Sequence, residues 1–173
     1  MTEAWESDRK KREAFSRLVE AYQLPLLRMC RMCLRDDAAA EDAVQETFFK
    51  AFRALPRFRG QCSEKTWLVR IALNTCRDAE RSAWKKHTDR RVTPEELPLP
   101  AQEPPDDSRE ELARAIRQLP KKQRAAVLLY YYQDLTLAEA AQALRVSPSV
   151  VSKRLKAARE TLREALERGR EHA

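Results

Sequence analysis

The spacing of apolar residues predicts helices through the first half of the chain. Apolar side chains at positions i, i+3, i+4 and i+7 share one face of a helix, and the first such set is Phe15, Leu18, Val19 and Tyr22. Pro25 either interrupts this helix, which covers about 9–24, or starts the next turn. The helices predicted after it are 26–34, 39–55 and a last one from Ser63 or Thr66 to about Lys86.

A second series of helices is predicted near the C-terminus. Its members are 109–118, 121–133, 136–144 and 148–169. The last helix has an apolar stripe formed by Val151, Leu155, Ala158 and Leu162. The chain has 2 glycines, and β-branched residues are sparse beside Ala, Leu, Arg, Glu and Gln. Together these features predict an all-α fold.

A short run between the two series cannot form a helix. Residues 93–107 hold five prolines and five acidic residues, and such a run neither continues a helix nor buries much apolar surface. We therefore interpret 86–108 as an extended, mobile linker. It divides the chain into an N-terminal domain over 8–85 and a C-terminal domain over 109–170.

The C-terminal domain has the sequence features of a helix-turn-helix. Thr136 and Glu139 are spaced as a capping box, in which each side chain accepts a hydrogen bond from the other residue's backbone N–H. After a three-residue turn, Ser147 can cap the next helix and Pro148 suits its first turn. Arg145 stands where glycine is common in this turn, so a positive φ there would be strained. Two capped helices joined by so short a turn form a DNA-reading unit.

The second helix of this unit carries polar residues opposite its apolar stripe. Recognition helices present their N-terminal residues to base edges, which assigns base reading to Ser149, Ser152 and Lys153. The residues better placed for phosphates are Arg154, Lys156 and Arg159. The alternative is an ordinary antiparallel helix pair with solvated lysines.

The net charge of +7 favours a polyanionic partner, either nucleic acid or an acidic membrane surface. A well-solvated helical surface is the other explanation, because 35% of the residues are charged. No stretch is long and apolar enough to span a membrane, and the first eleven residues are too charged for a secretory signal. We therefore expect a soluble, cytoplasmic protein.

The N-terminal domain has two polar surfaces. On the helix over 39–55, the residues that face away from its apolar side are Asp42, Gln45, Glu46 and Phe49. An exposed Phe beside acidic groups indicates a surface that binds a basic protein. On the next helix, Asn74, Arg77 and Arg81 form a basic stripe, for which a solvated helix face is the alternative. Trp67 could stack on a base, but its place in the apolar stripe favours the core.

The sequence shows no catalytic arrangement. There is no phosphate-binding glycine loop and no Ser/His/Asp constellation, and the chain has 2 histidines. We expect no enzyme activity, no cofactor, no bound metal and no small-molecule substrate. Cys30 and Cys33 lie one helical turn apart, with Cys62 and Cys76 elsewhere. They are either a redox or zinc switch or small apolar residues in a reduced cytosol, and a single C-x2-C is a weak metal signal.

Three segments, in order, resemble the extracytoplasmic-function (ECF) sigma factors of bacterial RNA polymerase. They are AEDAVQETFFKAFRAL at 40–55, FRGQCSEKTWLVRIALNTCRD at 58–78 and LTLAEAAQALRVSPSVVSKRLKAAR at 135–159. The resemblance covers about 13–84 and 109–166, with the proline-rich linker in between. It implies a sigma-two domain, a linker and a sigma-four domain with the helix-turn-helix, in a protein that binds core RNA polymerase and directs it to promoters.

The resemblance also implies a role for each surface. Asp42, Gln45, Glu46 and Phe49 would dock on the β′ clamp helices of core polymerase, and the sigma-four domain on the β flap. A flipped base of the minus-ten element would be held by Gly60, Gln61, Cys62, Ser63, Glu64 and Lys65, with Asn74, Arg77 and Arg81 adjoining. The minus-35 element would be contacted by Ser149, Ser152, Lys153, Arg154, Lys156 and Arg159. The linker would pass through the active-site cleft, and an anti-sigma factor would restrain the protein.

Two other classes of protein are considered beside a sigma factor. A stand-alone helix-turn-helix regulator would use its N-terminal half to sense a ligand or a partner. Such regulators favour symmetric dimers, and the chain has no dimerisation heptads. A structural or adaptor protein would not need the basic recognition face. The sequence therefore favours an alternative sigma factor.

Overall fold

Two groups of helices make up the structure, which is a computed structural model. It describes the backbone of residues 2–90 and 107–171. Side chains are described for residues 9–83 and 109–168. The N-terminal group is α1 (Thr2–Leu34), α2 (Asp37–Ala54) and α3 (Glu64–Arg90), with a 3-10 turn at Leu55–Arg57 before α3. The C-terminal group is α4 (Asp107–Gln118), α5 (Lys121–Val127), α6 (Leu137–Leu144) and α7 (Pro148–Glu171). All regular structure in the described residues is helical, which confirms the predicted fold class.

Local side-chain bonds explain where the helices begin. The Asp36 carboxylate accepts a hydrogen bond from the backbone N–H of Ala39 at 2.6 Å, which satisfies one free donor at the start of α2. The Ser63 hydroxyl accepts from the Thr66 N–H at 3.1 Å, so Ser63 rather than Thr66 caps α3. The polar Arg35–Asp36 break therefore works as a helix start.

The predicted interruption at Pro25 is wrong, because α1 runs through that residue without a break. Proline removes one backbone donor from a helix, but Leu26, Met29 and Cys30 just beyond it are fully buried. Burial of this face holds the last turns of α1 in helical geometry. The predicted helix over 121–133 also differs, since α5 ends at Val127 and a π-helical turn follows at Leu128–Tyr132.

The predicted linker over 86–108 is too long at both ends. Helix α3 continues to Arg90, because no proline or glycine occurs before Pro94. Helix α4 already begins at Asp107, where an acidic residue suits a helix N-terminus. The rest of the predicted linker, residues 91–106, lies outside the described residues.

Each helix group has an apolar interior. In the N-terminal domain, α1, α2 and α3 pack on one another, and the buried residues include Leu18, Leu26, Met29, Val44, Phe48, Leu68, Val69 and Ala72. In the C-terminal domain, α7 packs on α5 and α6, around Ile116, Leu128, Leu129, Ala140, Ala141, Val151, Leu155 and Ala158. The small side chains of Ala140 and Ala141 let α6 lie close to α7.

The two domains also touch each other. Helix α3 packs against α6, and α1 packs against α4 and against the π-helical turn. This contact places the helix-turn-helix against α3 and the segment that joins α2 to α3.

Candidate nucleic-acid and polymerase interfaces

Helix α2 presents the acidic surface that its periodicity predicts. Thr47, Phe48 and Ala51 are buried on one side, and the opposite side exposes Asp42, Gln45, Glu46 and Phe49. The Phe49 side chain is 56% exposed, with the guanidinium of Arg53 5.6 Å from its ring centroid. An apolar ring held in water beside carboxylates is a surface suited to a protein partner. We call these four residues the acidic face.

The loop between α2 and α3 turns sharply at Gly60, whose φ of +71° lies in the left-handed region that favours glycine. Gly60, Gln61, Cys62 and Ser63 lie in this loop, and Glu64 and Lys65 form the first turn of α3. All six are exposed or half-buried. We call residues 60–65 the α2–α3 loop. The resemblance to ECF sigma factors implies a base-binding site there.

A cavity of about 380 Å³ lies beside this loop. It is lined by Ala54, Arg57, Phe58, Gln61, Cys62, Trp67, Arg70 and Gln142. The rings of Phe58 and Trp67 stack with centroids 4.7 Å apart and planes 24° apart. Trp67 packs against the core as expected, yet it also forms part of the cavity wall. Stacked rings beside guanidinium groups suit a planar, electron-rich ligand.

Sequence reasoning missed Arg57, Phe58, Arg70 and Gln142 in this cavity. A signal existed for Arg70, which lies four residues before Asn74 and therefore on the same helical stripe as Asn74 and Arg77. The other three come from a turn and from the second domain, and no sequence periodicity brings them together.

The basic stripe on α3 faces a larger cleft between the domains. Asn74, Arg77 and Arg81 are exposed as predicted, and Arg81 forms an ion pair with Asp78. All three line a cleft of about 820 Å³, whose other cationic lining residues are Lys121, Lys122, Arg124 and Arg154. The cleft has two acidic lining residues, Asp78 and Glu80, so it is strongly positive.

Glu80 connects the two domains at this cleft. Its carboxylate accepts from the Arg124 guanidinium at 3.1 Å and pairs with the Lys121 ammonium at 2.8 Å. The side chain of Arg124 is 9% exposed and also donates to the Arg117 carbonyl at 2.8 Å. A buried guanidinium needs such partners, because an unpaired buried charge is costly.

The helix-turn-helix has the predicted local chemistry. The Thr136 N–H donates to the Glu139 carboxylate at 2.9 Å, and the Glu139 N–H donates to the Thr136 hydroxyl at 3.2 Å, so the capping box is confirmed. Hydrogen bonds from Thr136, with a smaller effect of the Lys65 charge, lower the pKa of Glu139. Arg145 has φ 56° and ψ 47°, the left-handed conformation in which a residue other than glycine is strained. The Ser147 hydroxyl accepts from the Val150 N–H at 3.4 Å.

The recognition helix α7 keeps its polar face in solvent. Val151, Leu155 and Ala158 are buried, whereas the exposed residues are Ser149, Ser152, Lys153, Lys156 and Arg159. Arg154 differs from these, since it is half-buried and lines the interdomain cleft. The face on which base reading was predicted is therefore open in this arrangement.

Three of the four cysteines form a buried group. Cys30 and Cys76 have their sulfurs 3.5 Å apart, and Cys33 also interacts with Cys76. Hydrogen bonding between the thiols, together with burial, raises the pKa of both Cys33 and Cys76. All four cysteines are free thiols, and Cys62 in the α2–α3 loop is half-buried. Within the described residues, no three His, Cys, Asp or Glu side chains are arranged to hold a metal.

Comparison with known proteins identifies the family. Residues 18–86 match the family model for sigma-70 region 2, and residues 109–162 match the model for sigma-70 region 4. The chain is 32% identical over 169 residues to the RNA polymerase sigma-H factor of Pseudomonas aeruginosa, covering 90% of this chain and 88% of that one. It is 33% identical over 153 residues to the ECF RNA polymerase sigma factor SigM of Mycobacterium tuberculosis, covering 87% and 76%. The chain belongs to the ECF sigma factor family.

The fold agrees with this family. The sigma factor RpoE of Bartonella quintana, solved in complex with the anti-sigma factor NepR, superposes with a TM-score of 0.77 at 24% identity, over 90% of this chain and 98% of that one. As an alternative sigma factor, the protein binds core RNA polymerase and directs promoter-specific transcription initiation. A stand-alone helix-turn-helix regulator is not supported, because the family match includes the N-terminal domain. Among the described residues, no helix is both long and apolar enough to cross a membrane.

Proposed function

We propose that this ECF sigma factor acts in the cytoplasm through three separate surfaces. The acidic face on α2 binds the β′ clamp helices of core polymerase, and the sigma-four domain contacts the β flap. The α2–α3 loop, with Asn74, Arg77 and Arg81, holds the minus-ten element. The recognition helix contacts the minus-35 element through Ser149, Ser152, Lys153, Arg154, Lys156 and Arg159. The observation that carries the proposal is that carboxylates with an exposed Phe49 lie on α2, whereas exposed cations lie on α7.

The cavity beside the α2–α3 loop supports base capture there. Opening a promoter costs a few kcal/mol for each base taken out of the stack, and stacking on an aromatic ring returns about 1–3 kcal/mol per base. Phe58 and Trp67 supply the rings, and Arg57 and Arg70 supply positive charge for the adjoining phosphates. No nucleotide hydrolysis is required by this scheme.

We further propose that an anti-sigma factor controls the protein. The support is the Bartonella quintana sigma factor of the same fold, whose structure holds an anti-sigma factor. The positive interdomain cleft of this chain offers a surface for an acidic partner segment.

Run-off transcription tests the proposed function directly. The purified chain is mixed with bacterial core RNA polymerase and a library of promoter templates, and transcripts are sequenced. We expect selective transcripts that are absent with core enzyme alone. Phe49→Ala should reduce association with core polymerase at least tenfold, because exposed aromatic anchors dominate protein interfaces, whereas the matched control Glu20→Ala on α1 should not. No selective transcript and no association with core would refute the proposal.

Two variants of the recognition helix separate base reading from phosphate contact. Lys153→Ala should change which templates are selected, while Arg159→Ala should weaken all of them by a similar factor and reduce the dependence on salt. Gln118→Ala, an exposed change on α4 of the same domain, is the control. Equal losses on every template from both variants would remove the base-reading assignment of Lys153.

A further inference from the structure

We propose that the free chain inhibits itself, with helix α6 of the sigma-four domain covering the α2–α3 loop of the sigma-two domain. The occupant of the loop is a segment of the same chain, centred on Gln142, and it must leave before promoter DNA can enter. The inference rests on the minus-ten assignment made above and adds a regulatory state to it.

Gln142 contacts the loop through its side chain and the adjoining part of α3 through its backbone carbonyl. Its side-chain amide donates to the carbonyl of Gln61 at 3.0 Å, and its carbonyl accepts from the Arg70 guanidinium at 3.0 Å. Gln142 also forms part of the wall of the cavity that Phe58 and Trp67 line. The Gln61 carbonyl and the Arg70 guanidinium, which would face a captured nucleotide, are therefore already bonded to α6.

Helix α6 also brings a negative charge, that of Glu139, toward the α2–α3 loop. Glu139, one turn before Gln142, lies close enough to Lys65 at the start of α3 for the lysine to favour its ionised form. The positive charge of Lys65, which would attract a promoter phosphate, therefore acts on Glu139 in the closed arrangement. Helix α6 and the minus-ten strand then compete for one positive surface.

Contacts away from the loop hold the sigma-four domain, and with it α6, against the sigma-two domain. Glu80 binds Arg124 and Lys121, as described. At the other side of the interface, the Gln133 side chain, 1% exposed, donates to the Pro25 carbonyl at 3.0 Å. Arg35 donates to the Arg117 carbonyl at 2.7 Å. These anchors can be altered without touching the residues assigned to DNA or to core polymerase.

The closed arrangement blocks one DNA element and leaves the other free. Ser149, Ser152 and Lys153 stay exposed on α7, so the minus-35 face is available while the α2–α3 loop is covered. Opening is therefore needed for minus-ten capture, and the fraction of open molecules sets the apparent activity.

Release of the anchor at Glu80 is the first test. Glu80→Arg places three cations together at the interface and should open it, while Glu20→Arg, the same change at an exposed site on α1, should not. At a sigma concentration below saturation, Glu80→Arg should raise run-off yield several-fold, up to about tenfold if one molecule in ten is open. Circular dichroism verifies that both variants are folded. A folded Glu80→Arg chain with the yield of Glu20→Arg would overturn the proposal.

A reversible cross-link tests the contact itself, even if Glu80→Arg fails to fold. Gln142→Cys introduces a thiol into the cavity that Cys62 already lines, and mild oxidation should join the two within one chain, as a monomer on a non-reducing gel. The cross-linked protein should lose run-off activity and regain it when a reductant is added. Gln142→Ser, which leaves Cys62 unchanged and supplies no second thiol, is the control and should show neither effect. Absence of the cross-link, or full activity in the cross-linked state, would refute self-inhibition.

The two proposals fail differently in these experiments. If the wild-type chain directs no selective transcript, the proposed function is wrong, whether or not the cross-link forms. If the wild-type chain is active and the cross-linked chain is equally active, only the self-inhibition is wrong.

Discussion

Replacing Arg145 by glycine should stabilise the protein. Arg145 ends α6 in the left-handed conformation, where its backbone N–H and that of Val146 both bond to the Ala141 carbonyl. These bonds require the backbone to turn at this residue, and they hold Arg145 in the left-handed conformation although it is not glycine.

The magnitude follows from two opposing terms. The left-handed conformation costs an L-residue about 1–2 kcal/mol, and glycine pays about 0.5–1 kcal/mol more backbone entropy on folding. At the middle of both ranges the net gain for Arg145→Gly is about 0.75 kcal/mol, and it is at most about 1.5 kcal/mol. For a domain of this size, that gain corresponds to a rise of about 2–8 °C in melting temperature.

Urea unfolding of the full chain, followed by circular dichroism, measures this gain. Arg145→Ala is the matched control, because it removes the same side chain but keeps the backbone strain. We expect Arg145→Gly to be more stable than both wild type and Arg145→Ala. If the two variants unfold at the same urea concentration, the residue is not strained and the reasoning is wrong. Arg35, at φ 58°, is a poorer test, since its side chain also bonds to the Arg117 carbonyl.

Further predictions concern the packing, the capping box and the thiols. Leu155→Ala, at a site 1% exposed, should cost about 2–5 kcal/mol in urea unfolding, and a cost below that range would mean that α7 is not packed as described. Thr136→Ala should cost about 1 kcal/mol, and an unchanged urea midpoint would argue against the cap. Glu139→Ala should be less stable than wild type at pH 7. Because folding lowers the pKa of Glu139, this stability difference should be constant at pH values above the ordinary pKa of a glutamate. It should disappear as the pH falls through the lowered, folded-state pKa. Alkylation of the native protein should modify Cys62 first, since burial and thiol hydrogen bonds raise the pKa of Cys33 and Cys76; mass spectrometry that finds Cys33 modified as fast as Cys62 would contradict this.

Features set by local chemistry could be predicted from the sequence. The capping box at Thr136 depends on four consecutive residues, and the turn position that glycine often takes, occupied here by Arg145, depends on the helices around it. The exposed acidic face depends on the period of a single helix, α2. Each of these needs no knowledge of the rest of the fold, and the structure agrees with each.

Features that depend on distant contacts were missed or mispredicted. Pro25 was expected either to interrupt its helix or to start the next turn, because local propensity disfavours proline in a helix, but tertiary packing of the following turns outweighs that cost. The pairing of Glu80 with Arg124 joins residues far apart in sequence, and no periodicity links them. The α2–α3 loop was found through a family resemblance, whereas its cavity required Gln142 from the other domain.

The strength of the interdomain contact decides whether self-inhibition can be relieved. The polar contacts named here are hydrogen bonds and ion pairs, each contributing about 1 kcal/mol or less where water reaches it. Lys121 is largely exposed in its pair with Glu80, so this part of the interface contributes little. Arg124 is the exception, since it is buried and would lose its counter-charge on opening unless water or another acid replaced Glu80. Under the proposed self-inhibition, several weak contacts and one buried pair hold the closed state in the free chain. Core polymerase, for which contacts with both the acidic face and the sigma-four domain are proposed, shifts the population toward the open form only if it binds that form more tightly.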